Sequence, residues 1–127
     1  MKLLYLALGG SLGAILRYLL SALPHKFYWG TFPIGTLFVN LLGSFLVGFA
    51  FVFFGKEHIS ENLRLFLFIG LLASFTTFST LMLESLNLFK DGDFKFALLN
   101  LAGANIAGLF FVYLGYVFAQ YIVNQIH

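Results

Sequence analysis

Residues 63–90 read LRLFLFIGLLASFTTFSTLMLESLNLFK, and at their centre SFTTFST (74–80) sets five hydroxyl side chains and two phenylalanines among residues otherwise suited to lipid. A span of helix in a bilayer needs about 20 mostly apolar residues. This stretch is long enough, and its polar centre falls at the depth where unpaired polar groups cost most. The surrounding chain has the same character. Of 127 residues, 61% are hydrophobic and 9% charged, and the mean hydropathy is +0.96. A soluble domain needs more charge than that to stay dispersed. The composition predicts an all-α integral membrane protein with four spans, Leu3 to Ala22, Phe32 to Phe54, Arg64 to Phe89 and Phe94 to Ile122, forming one transmembrane domain over 1–127. Lys2 followed by apolar and small residues has the outline of a signal peptide, but the run continues past Ala14 to Ala22, as a retained first span would.

With four spans, Lys2, Lys56 and Arg64 fall on one side and Lys26, Lys90 and Lys95 on the other. Three against three gives no positive-inside preference, which permits insertion in both orientations and pairing with an inverted copy. It is equally compatible with a chain whose orientation rests on a subset of these charges. Four helices fill their own axis with side chains, so a polar pathway calls for an oligomer. Small residues four apart, Gly9/Gly13, Ser44/Gly48 and Ala104/Gly108, suit close helix packing.

The ionisable residues inside the spans are Arg17 and Glu84. Each lies five residues before the end of its helix, about 7 Å deep on the same side, close enough in depth to pair. They suit either a vestibule or local snorkelling and capping. In the second span Thr36, Asn40, Ser44 and Gly48 recur every four residues and so share a face. That face must meet a helix or water. In the fourth span Asn100 and Asn105 point to different faces, one available for a polar lane and the other for packing.

Two outcomes are open for SFTTFST. Its hydroxyls bond to carbonyls one turn back within a continuous helix, or the helix breaks there. A break frees carbonyls that suit a small cation, and amides and hydroxyls that suit an anion. Phenylalanine edges are electropositive and hold a small anion without a full charge that would trap it. Both readings of the rings, packing and anion contact, stand at this level.

Other chemistries find little support. Cysteine is absent, and no nucleophile with a base or metal cluster appears, so the chain does not read as an enzyme. His25, His58 and His127 fall in loops or at the terminus. A net charge of +2 divided between two sides does not suit nucleic acid. Glu84 leaves open a proton-coupled transporter that alternates between proton and substrate. A bundle that only organises partners or lipids would use SFTTFST as interhelical glue.

Three ordered blocks, GGSLGAILRY (9–18), GTLFVNLLGSFLVG (35–48) and TTFST (76–80) followed by Glu84, resemble the signature of the CrcB or Fluc fluoride channels across nearly the whole chain. The resemblance implies a cell-membrane channel that exports fluoride passively and relieves its toxicity. It implies an antiparallel, dual-topology homodimer whose third helix is broken at mid-membrane. By position it makes Asn40 an anion ligand, Phe78 the ring that meets fluoride edge-on, and Ser79 and Thr80 the hydroxyls of a polar track. Phe75 stands by as a second ring and Asn100 as a fourth-span pore residue. Arg17 and Glu84 take vestibule or structural positions. A central sodium ion would be held by the backbone carbonyls of Ala73 and Thr76 from both subunits. The chain departs from the common pattern where Ala73 and Ser74 replace paired glycines and Leu81 replaces a second box phenylalanine.

Overall fold

A computed structural model describes residues 1–28, 30, 32–54 and 59–126; Lys56, His58 and His127 lie outside the described residues. Four helical segments, Lys2–Lys26, Ile34–Phe54, Glu61–Lys90 and Phe94–Ile126, are long and apolar enough to cross a membrane, and the described residues contain no strand. The protein is a multi-pass membrane protein. The predicted spans fall within a few residues of these bounds, because hydropathy is summed over a whole helix and its ends lie where charge, proline or glycine appears.

Helix α1 covers Lys2–Ser21 and leads into a single 3₁₀ turn, Pro24–Lys26; α2 covers Ile34–Phe54. The third span is composite. A first turn, α3 (Glu61–Arg64), is capped by the Ser60 hydroxyl, which accepts the Leu63 N–H at 3.2 Å. The winding then widens to i→i+5 bonding over Leu65–Leu72 and closes in one turn, α4 (Ala73–Phe75). Thr76 has extended backbone angles, φ −88° and ψ 160°, and α5 begins at Ser79 and runs to Lys90. Helix α6 covers Phe94–Ile126.

The packing forms two pairs. Helix α1 lies along the wide-wound segment and α4, while α2 lies along α6, with α5 set against α6. Lipid tails are as apolar as the side chains, so helices in a bilayer gain from close backbone approach rather than from apolar burial. The small residues provide that approach. The Gly9/Gly13 face meets backbone at Phe66 and Leu71. A Cβ at Gly48 would overlap the Val112 carbonyl oxygen, and one at Gly115 that of Phe45. Phenylalanines fill the seam beside these contacts: Phe118 stands 6.1 Å from Phe45 and 5.9 Å from Phe49.

The α5–α6 turn follows from DGD (91–93). Gly92, at φ +85°, lets the chain reverse, its N–H bonding to Phe89 O at 3.1 Å and that of Asp93 to Leu88 O at 2.8 Å. These two bonds satisfy carbonyls that the end of α5 would otherwise leave open. The Asp93 carbonyl in turn accepts the Ala97 N–H at 2.9 Å, which starts α6. Gly92→Ala places a Cβ in the left-handed region and will destabilise the fold by about 1 kcal/mol. Thermal unfolding in detergent, followed by circular dichroism, checks this as a midpoint lowered by a few degrees.

Candidate functional site

The chemistry gathers around Thr77, between the end of α4 and the start of α5. Asn40, on the face of α2 that looks at this point, grips the Thr77 peptide from both sides. Its Nδ2 donates to the Thr77 carbonyl at 3.0 Å, and its Oδ1 accepts the Thr77 N–H at 2.8 Å. The Thr77 hydroxyl accepts the Thr80 N–H at 3.3 Å and lies 3.1 Å from the Thr80 hydroxyl. These two contacts redirect the backbone. In a continuous helix the N–H groups of Thr77 and Thr80 would bond to the carbonyls of Ala73 and Thr76, four residues back. Here they are turned to Asn40 and to the Thr77 side chain, which leaves the Ala73 and Thr76 carbonyls without their helical donors. The same turn of α4 holds Ser74, whose carbonyl accepts from Arg17 Nε at 3.2 Å. A guanidinium there opposes the negative end of the α4 segment.

Two cavities meet at Thr77. The outer one, about 550 Å³, reaches from the loop side inward and includes Arg17, His25, Lys26, Thr36, Thr80 and Glu84 in its wall. The inner one, about 330 Å³, is walled by Asn40, Ser44, Val47, Thr76, Thr77, Phe78, Leu81, Ala104, Asn105 and Val112. Among the described residues, no ionisable side chain enters that inner wall. Its polar atoms are hydroxyls, amides and backbone, which offer hydrogen bonds to an ion without a fixed charge.

The site residues expected from the sequence fall among the described residues. Thr36, Asn40 and Ser44 do share a face: Thr36 reaches the outer cavity, Asn40 and Ser44 the inner one, while Gly48 packs on α6. Ser44 Oγ also donates to the Asn40 carbonyl at 2.7 Å, a bond within α2. Phe78 borders the inner cavity and is 70% exposed on the single chain, whereas Phe75 is 3% exposed and packs near Gly43. Ser79 and Ala73 are exposed, and Thr80 lines the outer cavity. Arg17 and Glu84 share the outer cavity but bond elsewhere. Arg17 takes Ser74, and Glu84 Oε2 accepts the Thr36 hydroxyl at 2.8 Å, its Oε1 lacking a partner among the described residues.

Asn100 and Asn105 separate as their spacing requires. Asn100 is fully buried; its Nδ2 donates to Ser85 Oγ at 3.0 Å, and Ser85 donates on to the Leu81 carbonyl at 2.8 Å, which ties α6 to α5. Asn105 is the amide at the inner cavity, with Nδ2 on the Leu101 carbonyl at 2.7 Å. The sequence signal for Asn105 was its opposite face, but spacing alone did not say which face turns inward. Thr77 was also absent from the expected ligand set, although it stands at the junction of both cavities.

The family described as CrcB-like protein, Camphor Resistance (CrcB), matches residues 4–116. A protein of Parabacteroides distasonis is 40% identical over 125 residues, covering 98% of each chain. One from Aquifex aeolicus is 42% identical over 115 residues, covering 90% of this chain and 93% of its own. One from Shewanella baltica is 47% identical over 114 residues, covering 90% and 92%. All three relatives are named fluoride-specific ion channel FluC. With nine-tenths of its length matched and the polar α2 face joined to the TTFST segment, this chain belongs to the CrcB family.

Proposed function

We infer that this protein is a passive fluoride-selective channel of the cell membrane, exporting fluoride from the cytoplasm and so relieving its toxicity. The observation that carries the reading is the pair of cavities that share Thr77 in their walls, the inner one lined by neutral donors and a phenylalanine. Fluoride holds its water tightly, so a pore must replace that shell. Asn40, Ser44, Asn105, the hydroxyls around Thr77 and the edge of Phe78 can do so in steps. Without a fixed charge among them, an ion is held moderately and leaves again. The positive end of α5, whose first turn faces the same region, favours an anion over a cation.

The third membrane helix is read as broken at mid-membrane between α4 and α5, with a second, antiparallel copy covering the broken region. Support comes from the surface of the single chain. Ala73, Ser79 and Asn105 are exposed near the centres of their spans, where lipid cannot satisfy polar groups and a partner can. Dual insertion accords with the even division of Lys and Arg. A resident sodium ion fits the Ala73 and Thr76 carbonyls, because the N–H groups that would close onto them are engaged by Asn40 and Thr77. When bound, the ion would supply the positive charge these carbonyls face. Two copies would bring four such carbonyl oxygens together, and Ala73 is exposed for that.

Fluoride efflux from proteoliposomes, with equal pH on both sides and chloride as the control anion, tests the function. Rapid fluoride loss with chloride retained is expected; folded protein that releases no fluoride rejects it. A proton-coupled transporter working through Glu84 would instead need a pH gradient. In the same assay Phe78→Ile will slow efflux by about tenfold, the loss of a ring-edge contact of roughly 1.4 kcal/mol at the barrier. Phe54→Ile, at the end of α2, will leave the rate within about twofold.

A further inference from the structure

The outer cavity holds one group that channel function does not by itself explain. His25, on the 3₁₀ turn after α1, lies over the first turn of α2; a Cβ built on Gly35 would come within 2.9 Å of its Nε2. Gly35 precedes Thr36, whose hydroxyl binds Glu84. His25 and Glu84 both line the outer cavity and also a second, shallower cavity of about 300 Å³ on the loop side, with Phe32, Asn87 and Asp91. The two residues therefore form the wall between the loop side and the passage to Thr80 and Thr77.

We propose that His25 adjusts the charge at the mouth of the outer cavity, so that its imidazolium form draws fluoride in more strongly than its neutral form. The proposal rests on the channel reading above. The ionisable groups lining the outer cavity with His25 are Arg17 and Tyr18 from α1, Lys26 on its own turn and Glu84 from α5, and Asp91, just after α5, joins His25 and Glu84 in the shallower cavity; α2 contributes Gly35 and Thr36 and no charge. In the outer cavity Arg17 and Lys26 carry +2 against −1 for an ionised Glu84, while Asp91 lies in the shallower cavity, so one proton on His25 about doubles the positive charge at the mouth. Histidine is the side chain that changes charge between pH 5 and 8. A cleft with one sign of charge concentrates counter-ions and speeds their arrival. In this respect His25 is a positioning residue for the ion: it raises the local fluoride concentration without belonging to the neutral inner lining.

The test is the initial rate of fluoride efflux from proteoliposomes at equal internal and external pH, from about pH 5.5 to about pH 8. Protein-free vesicles are subtracted, since neutral hydrogen fluoride crosses lipid unaided. The wild-type rate is expected to rise about threefold to tenfold as pH falls through this range. His25→Gln should give a flat, low profile and His25→Lys a flat, high one. A wild-type profile that is flat while fluoride still flows overturns the proposal and leaves the channel intact. A pH response that persists in His25→Gln also overturns it, and transfers the effect to Glu84 or Asp91. Wild-type protein with no fluoride flux at any pH rejects the channel reading, and this proposal with it.

Discussion

Asn40→Leu will lower fluoride efflux by about 100-fold, because leucine keeps the volume of the side chain and removes both of its bonds to the Thr77 peptide. The Thr77 N–H and C=O would then be unpaired in a low-dielectric setting, each costing about 1–3 kcal/mol. That sum, about 2–6 kcal/mol, brackets the roughly 2.7 kcal/mol that a 100-fold rate change represents. The backbone can recover one bond by winding Thr77 back into the helix, with its N–H on the Ala73 carbonyl. Such rewinding would move Thr77 from its place in the wall of both cavities and cover an oxygen proposed for sodium. Asn40→Asp separates the two halves of the grip: its carboxylate still accepts the Thr77 N–H but cannot donate to the carbonyl, and it puts a charge into a neutral cavity. It should conduct no better than Asn40→Leu. The measurement is liposome efflux beside size-exclusion elution and thermal unfolding of each variant. Wild-type flux in an Asn40→Leu protein of wild-type elution would remove Asn40 from the mechanism.

Gly48→Val will be the most damaging single change to the scaffold. Gly48 faces the Val112 carbonyl and Gly115 faces that of Phe45, so the two backbones touch at paired positions and a side chain at either has no flexible neighbour to displace. Overpacking commonly costs about 1–3 kcal/mol. Here the cost will lie at or above the upper end, since α2 must move away from α6 along the seam where Phe118 stacks on Phe45 and Phe49. Asn40 rides on α2, so loss of flux will accompany loss of stability. Gly103→Val is the control: nothing lies within 4 Å of a Cβ there, and the variant should elute and unfold much like the parent. Equal unfolding midpoints for the Gly48 and Gly103 variants would show that the seam is not the tight contact described.

The membrane class and the four spans were legible from residue order because lipid solvation is additive along a helix. Every apolar residue adds to the same signal, whatever its neighbours in space. The helix face made of Thr36, Asn40 and Ser44 was legible for a related reason: the angle between successive residues is a local constant, so residues four apart must lie together. Even the identity of the chemically important segment could be read, since five hydroxyls at the centre of a span need partners wherever they go. The family blocks added which ion to expect.

What the sequence could not choose was the partner of each polar group. Arg17 and Glu84 share a depth and a cavity, yet Arg17 bonds to Ser74 and Glu84 to Thr36. Asn100 and Asn105 are alike in type and differ only in rotation, and the packing of α5 on α6 decides that the first is buried on Ser85 while the second meets the inner cavity. SFTTFST left open whether winding continues; the backbone at Thr76 is extended because Asn40, 37 positions away, takes the Thr77 N–H from the Ala73 carbonyl. Solvation and helical rotation depend on a residue and its near neighbours, so sequence determines them. A hydrogen bond depends on where two distant backbones are brought together, and here only the packing of α2 against the third span decided it.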